Sequence, residues 1–285
     1  MRALAWPAAV VLLAVCACGS VAGPAASPAR TVASSRADTA SASATSAGAA
    51  SLCGGPAAPS RLVTIRTSDG VRLAGFEAGA GSRGVVLVPE AGSAGQCGWW
   101  PYAADLAQRG FHVLAFDHRC QGSSDCPAGG PGQGLLTDIA AAVRTLRGAG
   151  PGRIALLGAS QGGSEALMAA ARPAPGTGSV AGVAALSADE LDQPFAAPPG
   201  PRTAVAAAAT VRVPVLLAVA PDDPYVSLAE TRTLFAALGT PAAGKRLLVQ
   251  PAGAGHGWLM LDGTPGGSEP PLATRLAAFL KAVTA

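Results

Sequence analysis

From residue 60 onward the chain alternates short apolar runs with stretches whose apolar positions recur at helical spacing. Residues 61–66 alternate apolar and polar in the manner of a half-buried strand. Ser68-Asp69-Gly70 supplies a turn, and 71–76 pairs back as the second arm of a hairpin. Further strands are predicted over 84–89, 111–116, 154–157, 180–186, 213–219 and 246–250. Helices are predicted over 99–109, 135–147, 164–171, 228–238 and 271–283. Unbroken apolar runs separated by amphipathic stretches imply βαβ units. The expected fold class is therefore α/β, with a mostly parallel twisted sheet, helices on both faces and right-handed crossovers. Sites in such sheets form at the carboxyl ends of the strands.

The front of the chain breaks this pattern. Arg2 precedes an apolar stretch over 3–15, too short to span a bilayer and of the length of a signal h-region. It ends in Val15-Cys16-Ala17-Cys18-Gly19-Ser20, which resembles a bacterial lipobox and implies cleavage after residue 17 with Cys18 lipidated. Cys16 departs from that pattern, and an ordinary secretory signal is the alternative. Residues 18–59 are rich in Ala, Ser, Thr, Gly and Pro with few large apolar side chains. Nothing there offsets the entropy of ordering, so a disordered tether is expected ahead of a domain over 60–285. The net charge of +3 is small and unclustered, which gives no footprint for nucleic acid. A membrane partner is expected only through the lipid anchor.

Four cysteines follow the signal region: Cys53, Cys97, Cys120 and Cys126, which allow three pairings. Cys120–Cys126 is the simplest local bridge and leaves Cys53–Cys97 to tie the tether's end to the body. No close-spaced Cys/His set suggests zinc, and no metal or organic cofactor is expected.

Candidate chemistry starts at Gly158-Ala159-Ser160-Gln161-Gly162, between a predicted strand and a predicted helix. In that context G-x-S-x-G places a serine on a tight turn, with the next amide at a helix start able to hold an oxyanion. Downstream, the strand over 213–219 runs into Asp222-Asp223, and a glycine-rich loop carries His256. A serine hydroxyl needs an imidazole to take its proton, and a carboxylate fixes the imidazole's tautomer. His112 and His118 lie outside the order serine, acid, histidine; Asp189 and Asp192 are outside candidates for the acid.

Together with the stretch 99–124, which ends Asp117-His118-Arg119-Cys120-Gln121-Gly122-Ser123-Ser124 where the family has D-x-R-G-x-G-x-S, these motifs resemble the α/β-hydrolase superfamily of serine-hydrolase type. The resemblance implies Ser160 as nucleophile and His256 as base. It favours Asp223 over Asp222 as the acid, because the family's D-x-x-V spacing fits Asp223 to Val226. The oxyanion donors it implies are the backbone amides of Gln161 and Gly92. Glu90-Ala91 stands where the family usually has His-Gly, and Cys120 where it has glycine.

The expected substrate is a small ester or acyl compound. The short Pro/Ala-rich stretch between Leu186 and Val211 leaves little or no lid, and Trp99, Trp100, Phe195, Tyr225 and Trp258 are candidate lining residues. A secreted or lipid-anchored carboxylic-ester hydrolase is the leading expectation. A peptidase or acyltransferase on the same triad, or a non-catalytic envelope protein that retains the fold, are the alternatives.

Overall fold

The computed structural model describes residues 48–132, 134–189, 203–262 and 271–285. Eight strands form one sheet: β1 (Ser60–Arg66), β2 (Arg72–Ala78), β3 (Arg83–Val88), β4 (Phe111–Phe116), β5 (Arg153–Ala159), β6 (Gly182–Leu186), β7 (Val215–Val219) and β8 (Lys245–Val249). Their order is β1-β2-β4-β3-β5-β6-β7-β8. The β1–β2 hairpin is antiparallel and β2 meets β4 antiparallel; every other pairing is parallel. Seven helices pack around it: α1 (Ala49–Cys53), α2 (Trp100–Gln108), α3 (Leu135–Gly148), α4 (Gln161–Ala171), α5 (Ala204–Ala208), α6 (Leu228–Ala237) and α7 (Leu272–Thr284), counted among the described residues.

The inner strands are mostly apolar because both faces are covered. Val85 and Leu87 of β3, Val113 and Ala115 of β4, and Ala155 and Leu157 of β5 join a core with α1, α2 and α7. Their neighbours Val86, Val88, Leu114, Phe116, Ile154 and Leu156 join a second core with α3, α4, α5 and α6. The period of two along each strand thus sorts residues between two hydrophobic layers.

The strand and helix expectations stand, with ends displaced by up to three residues, the most at α4, which begins at Gln161 rather than 164. β7 starts at Val215 rather than 213, because Pro214 has no N–H for the ladder. α5 was not expected. α6 opens on a capping box in which Ser227 Oγ accepts from the Glu230 amide and the Ser227 amide donates to Glu230.

One boundary needs correction. The tether expected over 18–59 cannot run to its end, because Ala49–Cys53 is helical with Ala49 buried, and the Ala49 amide donates to Ser60 Oγ at 2.8 Å. Trp100 Nε1 donates to Pro56 O at 3.1 Å, and the Cys53–Cys97 disulfide closes the connection. Small residues suffice here because bonds to the body, not a core of their own, hold them. The Cys120–Cys126 bridge is present as well. The signal region, Cys18 and most of the tether lie outside the described residues, as do Asp192, Phe195 and most of the stretch read as too short for a lid. No helix among the described residues is long and apolar enough to cross a membrane.

Candidate active site

Six parallel strands deliver their carboxyl ends to one rim, and the polar side chains gather there. β5 ends in Ser160, whose backbone has φ 51° and ψ −125°, a conformation that costs a non-glycine residue about 1 to 3 kcal/mol. Close backbone packing over-determines the turn. A side chain on Gly158 would strike the carbonyl of Gly162, and a Cβ on Gly162 would lie 2.6 Å from Val88 O. The Ser160 amide donates to Leu186 O at 2.8 Å, and α4 begins at the next residue. The Gln161 N–H is therefore one of the amides a helix start leaves unpaired.

β7 ends in the turn Asp222-Asp223. Asp223 Oδ1 and Oδ2 lie 2.8 and 3.0 Å from His256 Nδ1. The Asp223 side chain is 0% exposed and that of His256 11%. Burial alone would raise the Asp223 pKa. The Ser187 hydroxyl, the Tyr225 and Val226 amides and His256 outweigh it and hold the carboxyl below its usual range. An ionised carboxylate accepts, so Nδ1 carries the imidazole proton and Nε2 keeps its lone pair. Asp222 plays a different part. Its two oxygens accept from the Gly253 amide at 3.1 and 2.9 Å, which anchors the other end of the His256 loop.

Ser187, at the end of β6, is a functional residue the sequence reading missed. Its hydroxyl donates to Asp223 Oδ2 at 2.6 Å and accepts from the Gly257 amide at 2.9 Å. Its φ of 49° again lies in the glycine-favoured region. A non-glycine residue in strained backbone at a strand end would have marked it, but that is a property of coordinates and not of letters.

The loop after β3 carries Glu90 and Gly92, the latter at φ 122°. Asp117, at the end of β4, fixes the far side of this loop by accepting from the Gln96 amide at 2.7 Å and the Gln96 side chain at 3.0 Å. Glu90 is tucked against the His256 loop: a side chain on Gly257 would collide with Glu90 Oε2, which is buried without a hydrogen-bond partner. Burial raises the Glu90 pKa, opposed by His256 and the Trp258 amide. Cys120, which the resemblance sets where the family has glycine, has a φ of 66° in the glycine-favoured region.

The structure brings Asp223 and His256 together and sets Ser160 on the same rim. Among the described residues Ser160 Oγ makes no hydrogen bond to His256, a looseness common in unliganded sites. Of the expected lining residues, Trp99 and Trp100 belong to the core, at 0% and 1% exposure, and their indole N–H groups find the carbonyls of Val88 and Pro56. Tyr225 is 77% exposed with its ring edge-on to His256 at 4.8 Å, and Trp258 is half-buried against Trp99. Asp189 is bonded to Ser164, not to the site histidine. His112 pairs with Glu77 at 2.8 Å inside the sheet. No group of His, Cys, Asp and Glu among the described residues is arranged to hold a metal ion.

The family described as alpha/beta hydrolase fold matches residues 84–212, the stretch from β3 past Ser160. An esterase of Pyrococcus furiosus superposes with a TM-score of 0.64 at 18% identity, over 80% of this chain and 92% of that one. The chain has the α/β-hydrolase fold. An esterase of Exiguobacterium antarcticum gives 0.59 at 16% identity over 77% and 99% of the two chains. A monoacylglycerol lipase of Paleococcus ferrophilus gives 0.57 at 19% over 74% and 99%. No curated protein matches the chain in sequence. On this fold Ser160 lies in the strand-to-helix turn after β5, Asp223 in the turn after β7 and His256 in the loop after β8, with Gln161 opening α4 and Gly92 in the loop after β3.

Proposed function

We propose that this chain is a serine hydrolase of carboxylic esters that works through an acyl-enzyme on Ser160. The observation that carries the reading is the buried Asp223 carboxylate paired with His256 Nδ1 at 2.8 Å, on the same sheet rim as a serine held in an elbow conformation. In the proposed cycle Nε2 of His256 takes the Ser160 proton as the hydroxyl attacks the ester carbonyl. The Gln161 and Gly92 amides receive the oxyanion, and the imidazolium returns its proton to the leaving alkoxide. Water then attacks the acyl-enzyme by the same route in reverse. Esterases and a lipase among the solved structures of this fold favour esters over amides as substrates. Glu90, tucked beneath Gly257, supports a working site over a binding protein, because it is turned under the histidine loop. Export belongs to the same proposal, supported by the two disulfides, and a lipid anchor on Cys18 is proposed with it from the lipobox-like Val15–Ser20 stretch.

A fluorophosphonate probe tests the reading. The folded wild type should label and hydrolyse short p-nitrophenyl esters, and Ser160→Ala should abolish labelling and lower kcat by at least about 10⁴. Peptide amides should turn over far more slowly than esters. A folded wild type that takes no label would end the proposal.

A further inference from the structure

Beside the elbow runs a chain of ionisable side chains that the proposed mechanism leaves unused. Gln161 Nε2 donates to Glu165 Oε1 at 2.7 Å. Glu165 Oε2 lies 2.9 Å from His118 Nε2, and His118 Nδ1 lies 3.3 Å from Asp138 Oδ2. Asp138 Oδ1 accepts from Arg119 Nε and Nη2 at 2.9 and 2.7 Å, and Oδ2 from the Arg119 amide at 3.0 Å. Arg119 reaches on to Asp69 at 2.7 and 3.2 Å. The links come from α4, α3, the loop after β4 and the β1–β2 turn, and they end on the residue whose backbone amide follows the nucleophile.

Only Asp69 touches water appreciably. The side chains of His118, Glu165, Asp138 and Arg119 are 1%, 2%, 0% and 4% exposed. Two buried carboxylates face one guanidinium, so a proton on His118 is what brings the enclosed charge to zero. Burial alone would strip that proton; Glu165, then Asp138, reverse the effect and push the pKa up to about 9. In the 2.9 Å contact between His118 Nε2 and Glu165 Oε2, opposite charge contributes more than hydrogen bonding. The groups facing the His118 ring are Asp138 from α3, Glu165 from α4, Arg119 from its own loop and the Phe116 ring from β4 at 5.0 Å.

We propose that His118 and Glu165 form a proton-dependent positioning pair for the oxyanion hole. While His118 is protonated, Glu165 is held in place and fixes the Gln161 side chain, and with it the first amide of α4. When the proton leaves, Glu165 and Asp138 share one guanidinium, Glu165 is driven toward water, and the Gln161 amide loses its aim. The inference rests on the reading of Ser160 as nucleophile and Gln161 as oxyanion donor. An oxyanion contact is made in the transition state, so its loss lowers kcat and leaves KM nearly unchanged.

A hydrolase limited by its histidine base alone climbs with pH to a plateau. This one should climb and then descend above about pH 9 in kcat, by tenfold or more, with KM level. Steady-state kinetics with a fluorogenic ester from pH 6 to 10.5 provide the test, with background hydrolysis subtracted. In Glu165→Gln, Gln161 keeps an acceptor whose charge no longer depends on His118, and the descending limb should vanish whatever the height of the plateau. A flat wild-type profile to pH 10, or a limb that survives in Glu165→Gln, overturns the proposal. If that variant does not fold, NMR of the wild type decides: the Gln161 amide resonance must titrate with the His118 ring, and independence of the two overturns the proposal. Fluorophosphonate labelling is run in parallel. Labelling with a flat profile removes this inference alone, whereas no labelling removes the hydrolase reading and this inference together.

Discussion

Ser187 shows how much one hydroxyl can carry in this site. It donates to the buried Asp223 carboxylate and accepts from the Gly257 amide next to His256, so it joins the ends of β6, β7 and the His256 loop at one atom. Ser187→Ala leaves the Gly257 amide without an acceptor and strips one bond from Asp223. A hydrogen bond to a charged group is worth about 1.5 to 3 kcal/mol, so kcat should fall about ten- to a hundredfold, with KM within about twofold. Loss of less than twofold in kcat would show that the other donors to Asp223 suffice. The tight turn at Ser160 was legible from Gly158 and Gly162, and the meeting of Asp223 with His256 from the spacing that the family resemblance implies. Ser187 was not, because a serine among alanines at a strand end has no distinguishing neighbours in one dimension. The exposed Tyr225 and the buried Trp99 likewise read alike as letters, and only packing separates them.

At the scale of elements, the parallel strands were legible because burial on both faces leaves an unbroken apolar run. Their order across the sheet was not, since β3 pairing with both β4 and β5 is a matter of crossovers. α1 was hidden for another reason: a helix of five mostly small residues has too little apolar surface to announce itself. It is held instead by Cys53–Cys97, which spans a sequence separation of 44, against 6 for Cys120–Cys126. On loop entropy the first bridge contributes about 4 kcal/mol and the second about 2. Urea melts should show the Cys53→Ser/Cys97→Ser protein less stable than the Cys120→Ser/Cys126→Ser protein; the reverse order would place the stabilising role in the loop after β4.

For the whole molecule, the perturbed groups give stability a rise and a fall with pH. Asp69, lowered to about 2 by Arg119 against its own burial, and Asp223, lowered by its donors against a larger burial effect than any one of them, add stability above the ordinary carboxylate range. That contribution is lost as pH falls through their folded values. His118, raised to about 9, adds stability in full below the ordinary histidine range that is lost as pH climbs toward 9. Glu90, raised by burial, works against the carboxylate form and so also lowers stability as pH rises above the ordinary carboxylate range. The melting temperature should therefore peak in mildly acidic solution. Glu90→Gln should raise it more at pH 8 than at pH 4, and an equal gain at both would mean that the Glu90 carboxyl is not burdened by its surroundings.

The two consecutive carboxylates at the end of β7 hold one loop at two places, Asp222 at Gly253 and Asp223 at His256. Asp223 and His256 consequently travel as a single body, and neither can be re-aimed without the other. In the proposed cycle, the freedom to bring the Ser160 hydroxyl to the imidazole then falls to rotation about the Cα–Cβ bond of Ser160. On that proposal an incoming acyl group that selects the rotamer would start its own reaction.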